Sequence, residues 1–240
     1  MAGSSLAFSR GWDRLIPNGR ELGVAAALCY NADRVLQKLS IPVRVYRYAL
    51  VAQPVPPRPV LAGRRGVSIE VRQISPLEPA LLGMEITSDI LAFRATQRPL
   101  CFAAYKQDVM IGCLWFCLGP YHEDEVRCLF APVPAGTTAW DFGAYVLPDH
   151  RSSLAFLRLW DAANAYLRDR GVRWSLSRIS AYNLASLRSH GSLGTIPLGV
   201  ATFICCGRRQ LMWSTLEPRL HVSTGTHDVP ALTVRAPLRP

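Results

Sequence analysis

The sequence predicts a mixed α/β fold in which helices pack on a twisted, largely antiparallel sheet. Two observations support this class. The stretch from Tyr145 to Gly194 reads as strand, turn, amphipathic helix, strand and short helix, which is a βαβ unit followed by one more helix. On either side of it, pairs of alternating segments joined by short polar turns read as β-hairpins. A chain of 240 residues can bury a full core, so one main domain with additions is expected.

The first 53 residues predict a helix-and-strand extension. Apolar residues recur at helical spacing over Leu22–Leu39, and Val43–Ala52 alternates as a strand. Prolines follow from Pro54 onward and exclude both helix and interior strand, so residues 54–66 are expected to form a stiff, extended linker. Whether the extension packs on the main domain or mediates homodimerisation stays open.

Residues 67–215 carry the pattern of the main domain. Strands are predicted at Val67–Ile74, Cys101–Lys106, Val109–Leu118, Val126–Phe130, Thr137–Val146, Val172–Ser180, Leu198–Cys205 and Gln210–Trp213. Helices are predicted at Pro76–Met84, Asp89–Gln97, Ser153–Arg170 and Asn183–His190. Residues 216–240 lack periodicity, so they are expected to form an extended or disordered tail.

The helix at Ser153–Arg170 has the clearest pattern. Its apolar residues fall on one stripe, and Gly171 ends it: Phe156, Trp160, Ala163 and Leu167. Asn183 is a suitable N-cap for the shorter helix that follows the next strand.

The formal net charge of +10 comes almost entirely from arginine, since the chain has only two lysines. Arginine is suited to clamping carboxylates and phosphates. The basic residues are dispersed, which favours a solvated surface over a dedicated nucleic-acid face. A basic nucleic-acid-binding protein is therefore the weaker alternative.

The seven cysteines are expected to be reduced and buried, which indicates a cytoplasmic protein. No apolar run is long enough to span a bilayer. Cys113, Cys117, Cys128 and His122 could be imagined as a zinc site, but paired Cys-x-x-Cys knuckles are missing. Core packing explains these cysteines better, and no metal is expected.

Two motifs resemble those of the GNAT acyltransferase superfamily, the acyl-CoA-dependent N-acetyltransferases. Val146, Pro148 and Arg151 match the turn Val-x-Pro-x-x-Arg that precedes a long helix in that family. The spacing of Asn183, Ser186, His190 and Gly194 matches a second family motif, Asn-x-x-Ala/Ser-x-x-x-Tyr-x-x-x-Gly. The resemblance covers about residues 67–213 and implies a GNAT-like sheet and acetyl-CoA, or another acyl-CoA, as co-substrate.

The resemblance also implies positions for the cofactor. The backbone after Arg151 would wrap the pyrophosphate, and the strand end would offer a backbone N–H to the thioester carbonyl. The implied cofactor-binding residues are Val146, Arg151, Ser152, Ser153, Leu154, Ala155, Asn183 and Ser186. The family's glycines are absent from this turn, and glycine there allows the backbone to approach phosphate closely. A degenerate, non-catalytic scaffold used as an interaction module is therefore the main alternative.

The catalytic candidates follow from the chemistry of acyl transfer to an amine. His190 stands where the family's tyrosine protonates the departing thiolate, and imidazole titrates near neutrality. The alternative is a surface histidine with solvent as the acid. Asp141 could deprotonate the amine directly or through water, or it could be an ion-paired carboxylate at a strand end. By period-two spacing, Asp141 and Tyr145 are expected on one strand face.

The acceptor is expected to be a primary amine of a small or sugar-linked molecule. Its pocket candidates are Tyr145, Ser177 and Arg178. The polar loop His122–Glu125 is a further candidate for binding a cationic amine, although a solvated loop is the simpler interpretation.

Overall fold

A computed structural model describes residues 23–238 of the chain. Twelve strands and four α-helices lie in this range. The helices are α1 Val24–Lys38, α2 Ser88–Ala95, α3 Ala155–Arg168 and α4 Leu184–Gly191. The strands are β1 Val43–Pro54, β2 Glu70–Ile74, β3 Leu100–Lys106, β4 Val109–Cys117, β5 Tyr121–His122, β6 Leu129–Val133, β7 Thr138–Val146, β8 Trp174–Ser180, β9 Ile196–Cys206, β10 Arg209–Ser214, β11 Leu220–Ser223 and β12 Ala231–Arg235.

Nine strands form one sheet in the order β11-β10-β9-β1-β8-β7-β4-β3-β2. All neighbours in this sheet are antiparallel except β7 and β8, which run parallel and are connected through α3. The arrangement confirms the predicted mixed fold, with a mostly antiparallel sheet flanked by helices.

The strand of the N-terminal extension lies inside the main sheet. β1 pairs with β8 on one side and with β9 on the other, over nearly its whole length. The expectation of an appendage beside the main domain is wrong for this strand, because β8 and β9 pair with its two edges and place it inside the sheet. Residues 1–22, which include the start of the predicted first helix, lie outside the described residues.

The proline-rich linker is held against α3. The buried carboxylate of Asp161 accepts hydrogen bonds from the backbone N–H groups of Val60 and Leu61, at 2.6 and 3.1 Å. Arg168 donates to the carbonyl of Pro56 at 2.9 Å. Residues 56–61 of the linker thus run along the helix that joins β7 to β8.

The sheet has an apolar core on each face. One core lies under α3 and includes Trp160, Ala163 and Leu167 of the predicted stripe. The other contains the stacked pair Phe130 and Trp140, whose ring centroids are 4.6 Å apart. The three cysteines considered as zinc ligands are buried in this second core: Cys113, Cys117 and Cys128.

Residues 216–238 of the tail are ordered, contrary to the expectation from its composition. β11 extends the large sheet at its edge, and β12 pairs in parallel with β6 in a second, three-stranded sheet. Leu232 and Val234 of β12 are fully buried, which supplies the apolar contact that the short strand needs. Because β12 flanks β6, the tail supports the loop between β5 and β6.

Candidate active site

The site is built around a fork between β7 and β8. The two strands pair only from Thr138 to Asp141 on β7 and from Trp174 to Ser177 on β8, and then diverge. Beyond this point the edge of β7 that faces β8 has no strand partner in the pairing of the described sheet. Such an edge can bind an extended, amide-bearing molecule through backbone hydrogen bonds.

Two cavities meet at the fork. The first, here called the fork cavity, has a volume of about 310 Å³, and its lining includes Glu85, Arg94, Asp124, Glu125, Asp141, Ser177, Arg178 and His190. The second, here called the turn groove, has a volume of about 320 Å³ and is lined by Tyr145, Val146, Arg151, Phe156, Ala185 and Ser189. Both cavities are lined by Ala144, Asn183 and Ser186, so they adjoin at these residues.

Asp141 lies at the apex of the fork and is only 2% exposed. Ser175 donates a hydrogen bond of 2.6 Å to its carboxylate. Burial raises the pKa of Asp141 to about 7, although the hydrogen bonds from Ser175 and Ser177 work in the opposite direction. A carboxyl group with a pKa near neutrality suits proton transfer at physiological pH.

Asp141 and Tyr145 do not share a strand face, contrary to the expectation from period-two spacing. The pairing of β4 with β7 shifts between Cys113, which lies across from Tyr145, and Trp115, which lies across from Phe142. Cys113 and Trp115 are two residues apart and share a face of β4, so Tyr145 and Phe142 share a face of β7. Such a bulge places one extra residue in β7 and reverses the alternation beyond it. Asp141 therefore lines the fork cavity, whereas Tyr145 lines the turn groove.

His190 is buried, with 3% of its surface exposed, on the side of α4 that faces α3. Its ring packs edge-on against Phe156 and Trp160, with centroid distances of 5.4 and 5.7 Å. Burial lowers the pKa of His190 to about 4, so the imidazole is neutral at pH 7. The ring is neither a surface group nor the near-neutral acid expected from its ordinary pKa.

The turn after β7 is largely self-bonded. The N–H groups of Arg151 and Ser153 donate to Pro148 and His150 at 3.2 and 3.0 Å. The N–H of Ala155 donates to Oγ of Ser153 at 3.1 Å. Arg151 and Phe156 line the groove, but the four residues between them, Ser152, Ser153, Leu154 and Ala155, do not. These four expected cofactor contacts stay predictions.

Arg151 is the positive group of the turn groove. Its Nε donates to the carbonyl of Val146 at 3.1 Å, and its guanidinium lies 5.7 Å from the ring centroid of Tyr145. Asn183 and Ser186 also line the groove, and the Asn183 side chain accepts the Ser186 backbone N–H at 3.0 Å as the N-cap of α4. The N-cap expected from the sequence is confirmed.

The loop between β5 and β6 is solvated only in part: His122 and Glu125 are exposed, whereas the side chains of Glu123 and Asp124 are buried. Glu123 is 6% exposed and accepts a hydrogen bond from Arg178 Nε at 2.8 Å. Burial alone would raise the pKa of Glu123, but the charge and hydrogen bonds of Arg178 outweigh this effect and lower it. Asp124 accepts from Arg94 Nε at 2.6 Å. Asp124 and Glu125 of the loop line the fork cavity, whereas Glu123 holds Arg178 from behind that lining.

The fork cavity is anionic although the whole chain is strongly basic. Its lining holds four acidic side chains, Glu85, Asp124, Glu125 and the partly ionised Asp141, against two guanidinium groups, Arg94 and Arg178. Arg178 pairs with Glu125 at 2.9 Å and Arg94 with Asp124, so both cations are already matched. An excess of negative charge in a partly closed cavity attracts cations.

The sequence patterns did not indicate Gln53, Glu85 or Arg94 as site residues. Arg94 belongs to the short helix α2, and Gln53 is the last residue but one of β1, a strand that was expected to belong to a separate extension. Only the order of strands in the sheet brings Gln53 to the fork.

The parallel strands β7 and β8 diverge around a cleft and are joined by a helix, which is the arrangement that the two motifs led us to expect. No protein-family model matches the chain, and no curated protein matches it in sequence. Solved structures match it in shape at low identity. A Novosphingobium aromaticivorans protein described as a GNAT-family acetyltransferase is 17% identical over 67% of this chain and 65% of its own, with a TM-score of 0.46.

Two further matches have the same character. A Staphylococcus epidermidis protein of unknown function is 10% identical over 71% of this chain and 64% of its own, with a TM-score of 0.49. The aminoglycoside N-acetyltransferase AAC(6')-Iy, solved with CoA, is 21% identical over 52% of this chain and 86% of its own, with a TM-score of 0.41. Likenesses this distant concern the fold alone.

Proposed function

We propose that this chain is an acyl-CoA-dependent N-acyltransferase that transfers an acetyl group to a cationic primary amine. The observation that carries the proposal is the meeting of two cavities at the fork, one anionic with a buried carboxyl of pKa about 7 and one beside the motif turn. Acyl-CoA, when bound, supplies an activated thioester. The acceptor is a small or sugar-linked amine.

The turn groove fits the pantetheine arm of CoA. The unpaired edge of β7 offers backbone groups that can bond to the arm's amides, as an added strand would. Arg151 supplies a positive charge toward the pyrophosphate, and Val146 or a neighbour supplies the N–H for the carbonyl. Asn183 and Ser186 form the wall next to α4.

The fork cavity binds and activates the amine. Its excess of carboxylates attracts the ammonium form, and Ser177 and Arg178 line the path to Asp141. Asp141 accepts the proton of the ammonium, directly or through one water, and so produces the neutral nucleophile. Its pKa of about 7 allows it to be ionised for part of its time at neutral pH and to release the proton afterwards.

His190 assists as a neutral group. With a pKa of about 4 it holds no extra proton near pH 7, but a neutral imidazole N–H can stabilise developing negative charge by hydrogen bonding. It would stabilise the negative charge that develops on the departing sulfur. The proton that the sulfur finally takes up comes from solvent or from the amine.

The test is direct. Acetyl-CoA should raise the melting temperature of the purified chain, because a ligand that binds only the folded state stabilises it by mass action. Mass spectrometry should then detect acetylated product when acetyl-CoA and a panel of primary amines are supplied. Asp141→Asn should lose the activity while it keeps the acetyl-CoA shift. No thermal shift with several acyl-CoAs at millimolar concentration would refute the proposal.

One observation favours a second candidate, a non-catalytic scaffold. Three backbone N–H groups of the turn are bonded within the turn, and these are groups that a pyrophosphate would otherwise use. A scaffold would bind no acyl-CoA and form no product, so the same two measurements separate the candidates.

A further inference from the structure

Gln53 and His190 are two buried polar residues that contact each other beside the fork. Nδ1 of His190 lies 3.3 Å from the side-chain amide of Gln53, and 1% of Gln53 is exposed. Gln53 belongs to β1 and stands opposite Ser175 of β8, the residue that donates to Asp141. The strand that enters the sheet from the N-terminal extension therefore brings an amide to the histidine that replaces the family's tyrosine.

The amide can face the ring in two ways. A neutral imidazole has one N–H donor and one acceptor nitrogen, and the partner of one nitrogen decides which it is. If the amide oxygen faces Nδ1, the proton sits on Nδ1 and both N–H bonds of Gln53 Nε2 are left without a partner among the described residues. If the amide is turned by half a turn, one of these N–H bonds is used and the oxygen is left over.

The second orientation of the Gln53 amide has the lower free-energy cost. Buried N–H groups without a partner are rarer in proteins than under-used carbonyl oxygens, and the oxygen and nitrogen of an amide are assigned from such bonding. We propose that Gln53 is a positioning residue: it donates an amide N–H to Nδ1 of His190 and so keeps the ring proton on Nε2. The inference rests on the proposed function, in which His190 offers an N–H to the departing sulfur.

Few charged groups face the ring. α3 packs Phe156 and Trp160 against it, β1 presents the neutral Gln53, and burial rather than a charged neighbour lowers its pKa. Asp141 lines the same cavity, and Arg188 lies on α4 itself. A carboxylate at position 53 would therefore be the first charge in direct contact with the imidazole.

The decisive measurement is the tautomer of His190. Nitrogen-15 NMR of the full chain, labelled at histidine, distinguishes a proton on Nδ1 from one on Nε2, and His190→Phe assigns the signal among the five histidines. We expect the Nε2–H tautomer in the wild type at pH 7. An Nδ1–H tautomer would overturn the inference whether or not the chain is an enzyme.

A second measurement uses Gln53→Glu, with Gln53→Met as the uncharged control of similar size. A carboxylate can only accept from Nδ1, so the pKa of His190 should rise by two pH units or more in Gln53→Glu. Above that pKa, Nε2 loses its proton, and kcat should fall about tenfold with an alkaline limb that the wild type lacks. If kcat of Gln53→Glu has the same pH profile as kcat of the wild type, the inference is overturned.

The background variant His190→Phe shows whether Gln53 acts through the ring. In that background, Gln53→Glu should create no alkaline limb. If Gln53→Glu does not fold, the wild-type tautomer decides the question alone. Absence of acyl-CoA binding and of product in the wild type would refute the proposed function but leave the tautomer result standing.

Discussion

Asp141 gives the sharpest prediction, because its burial links catalysis to stability. A carboxyl with pKa about 7 in the folded chain and about 3.9 when unfolded binds a proton more tightly in the folded state. Its contribution to stability is therefore full below about pH 4 and is lost as the pH rises to about 7. The two values correspond to about 4 kcal/mol, an upper limit because water can enter the fork cavity.

Asp141→Asn removes the ionisation and keeps an oxygen that can accept from Ser175. We expect its free energy of unfolding to exceed that of the wild type by about 1–4 kcal/mol at pH 8 and to match it within about 1 kcal/mol at pH 4.5. Urea unfolding at the two pH values measures this difference. Asp169→Asn, the same change at an exposed position, serves as the control.

The same variant should be inactive. For the wild type, kcat/KM should rise with pH through about 7, since only the ionised carboxylate accepts the proton. A stability difference between wild type and Asp141→Asn that is equal at pH 4.5 and pH 8 would refute the burial argument. Full activity in Asp141→Asn would refute its role as base.

Three other substitutions test separate parts of the structure. Arg151→Ala should weaken CoA binding about tenfold or more by calorimetry, with Arg170→Ala, just beyond the C-terminal end of α3, as the control. An unchanged Kd in Arg151→Ala would exclude a phosphate contact at the turn. Asn164→Leu should leave stability unchanged or raise it by about 1–2 kcal/mol, because both polar atoms of this buried side chain lack partners among the described residues; a large loss in urea unfolding would indicate an internal water. Gly143→Ala should destabilise by more than about 1 kcal/mol, because φ is +61° and a Cβ would lie 2.8 Å from Nη1 of Arg94; an unchanged melting temperature would contradict this.

No helix in residues 23–238 is long and apolar enough to cross a bilayer. The cytoplasmic location and the homodimer expected from the sequence stay predictions. The domain boundaries do as well, although β1 now belongs to the sheet of the main domain.

Local patterns were enough to identify the βαβ unit and its helices. The apolar stripe of α3 and the cap at Asn183 depend on neighbours three or four residues away, so they can be predicted from the sequence. The hairpin of β3 and β4 can be predicted for the same reason, since apolar and polar residues alternate along its two strands, which meet at a short polar turn. The motif spacing led us to expect Arg151 and His190 along one cleft, whereas Asp141 was a candidate from its position in the strand.

Only the tertiary structure decided what those residues are chemically. A bulge in β7 places Tyr145 and Asp141 on opposite faces of the strand, and the period-two pattern of the sequence does not show where such an extra residue lies. The low pKa of His190 arises from burial against α3, and Glu123 is ionised because Arg178 from a distant strand meets it. The pairing of β1 between β8 and β9 joins segments more than a hundred residues apart, and local propensity contains no information about such contacts.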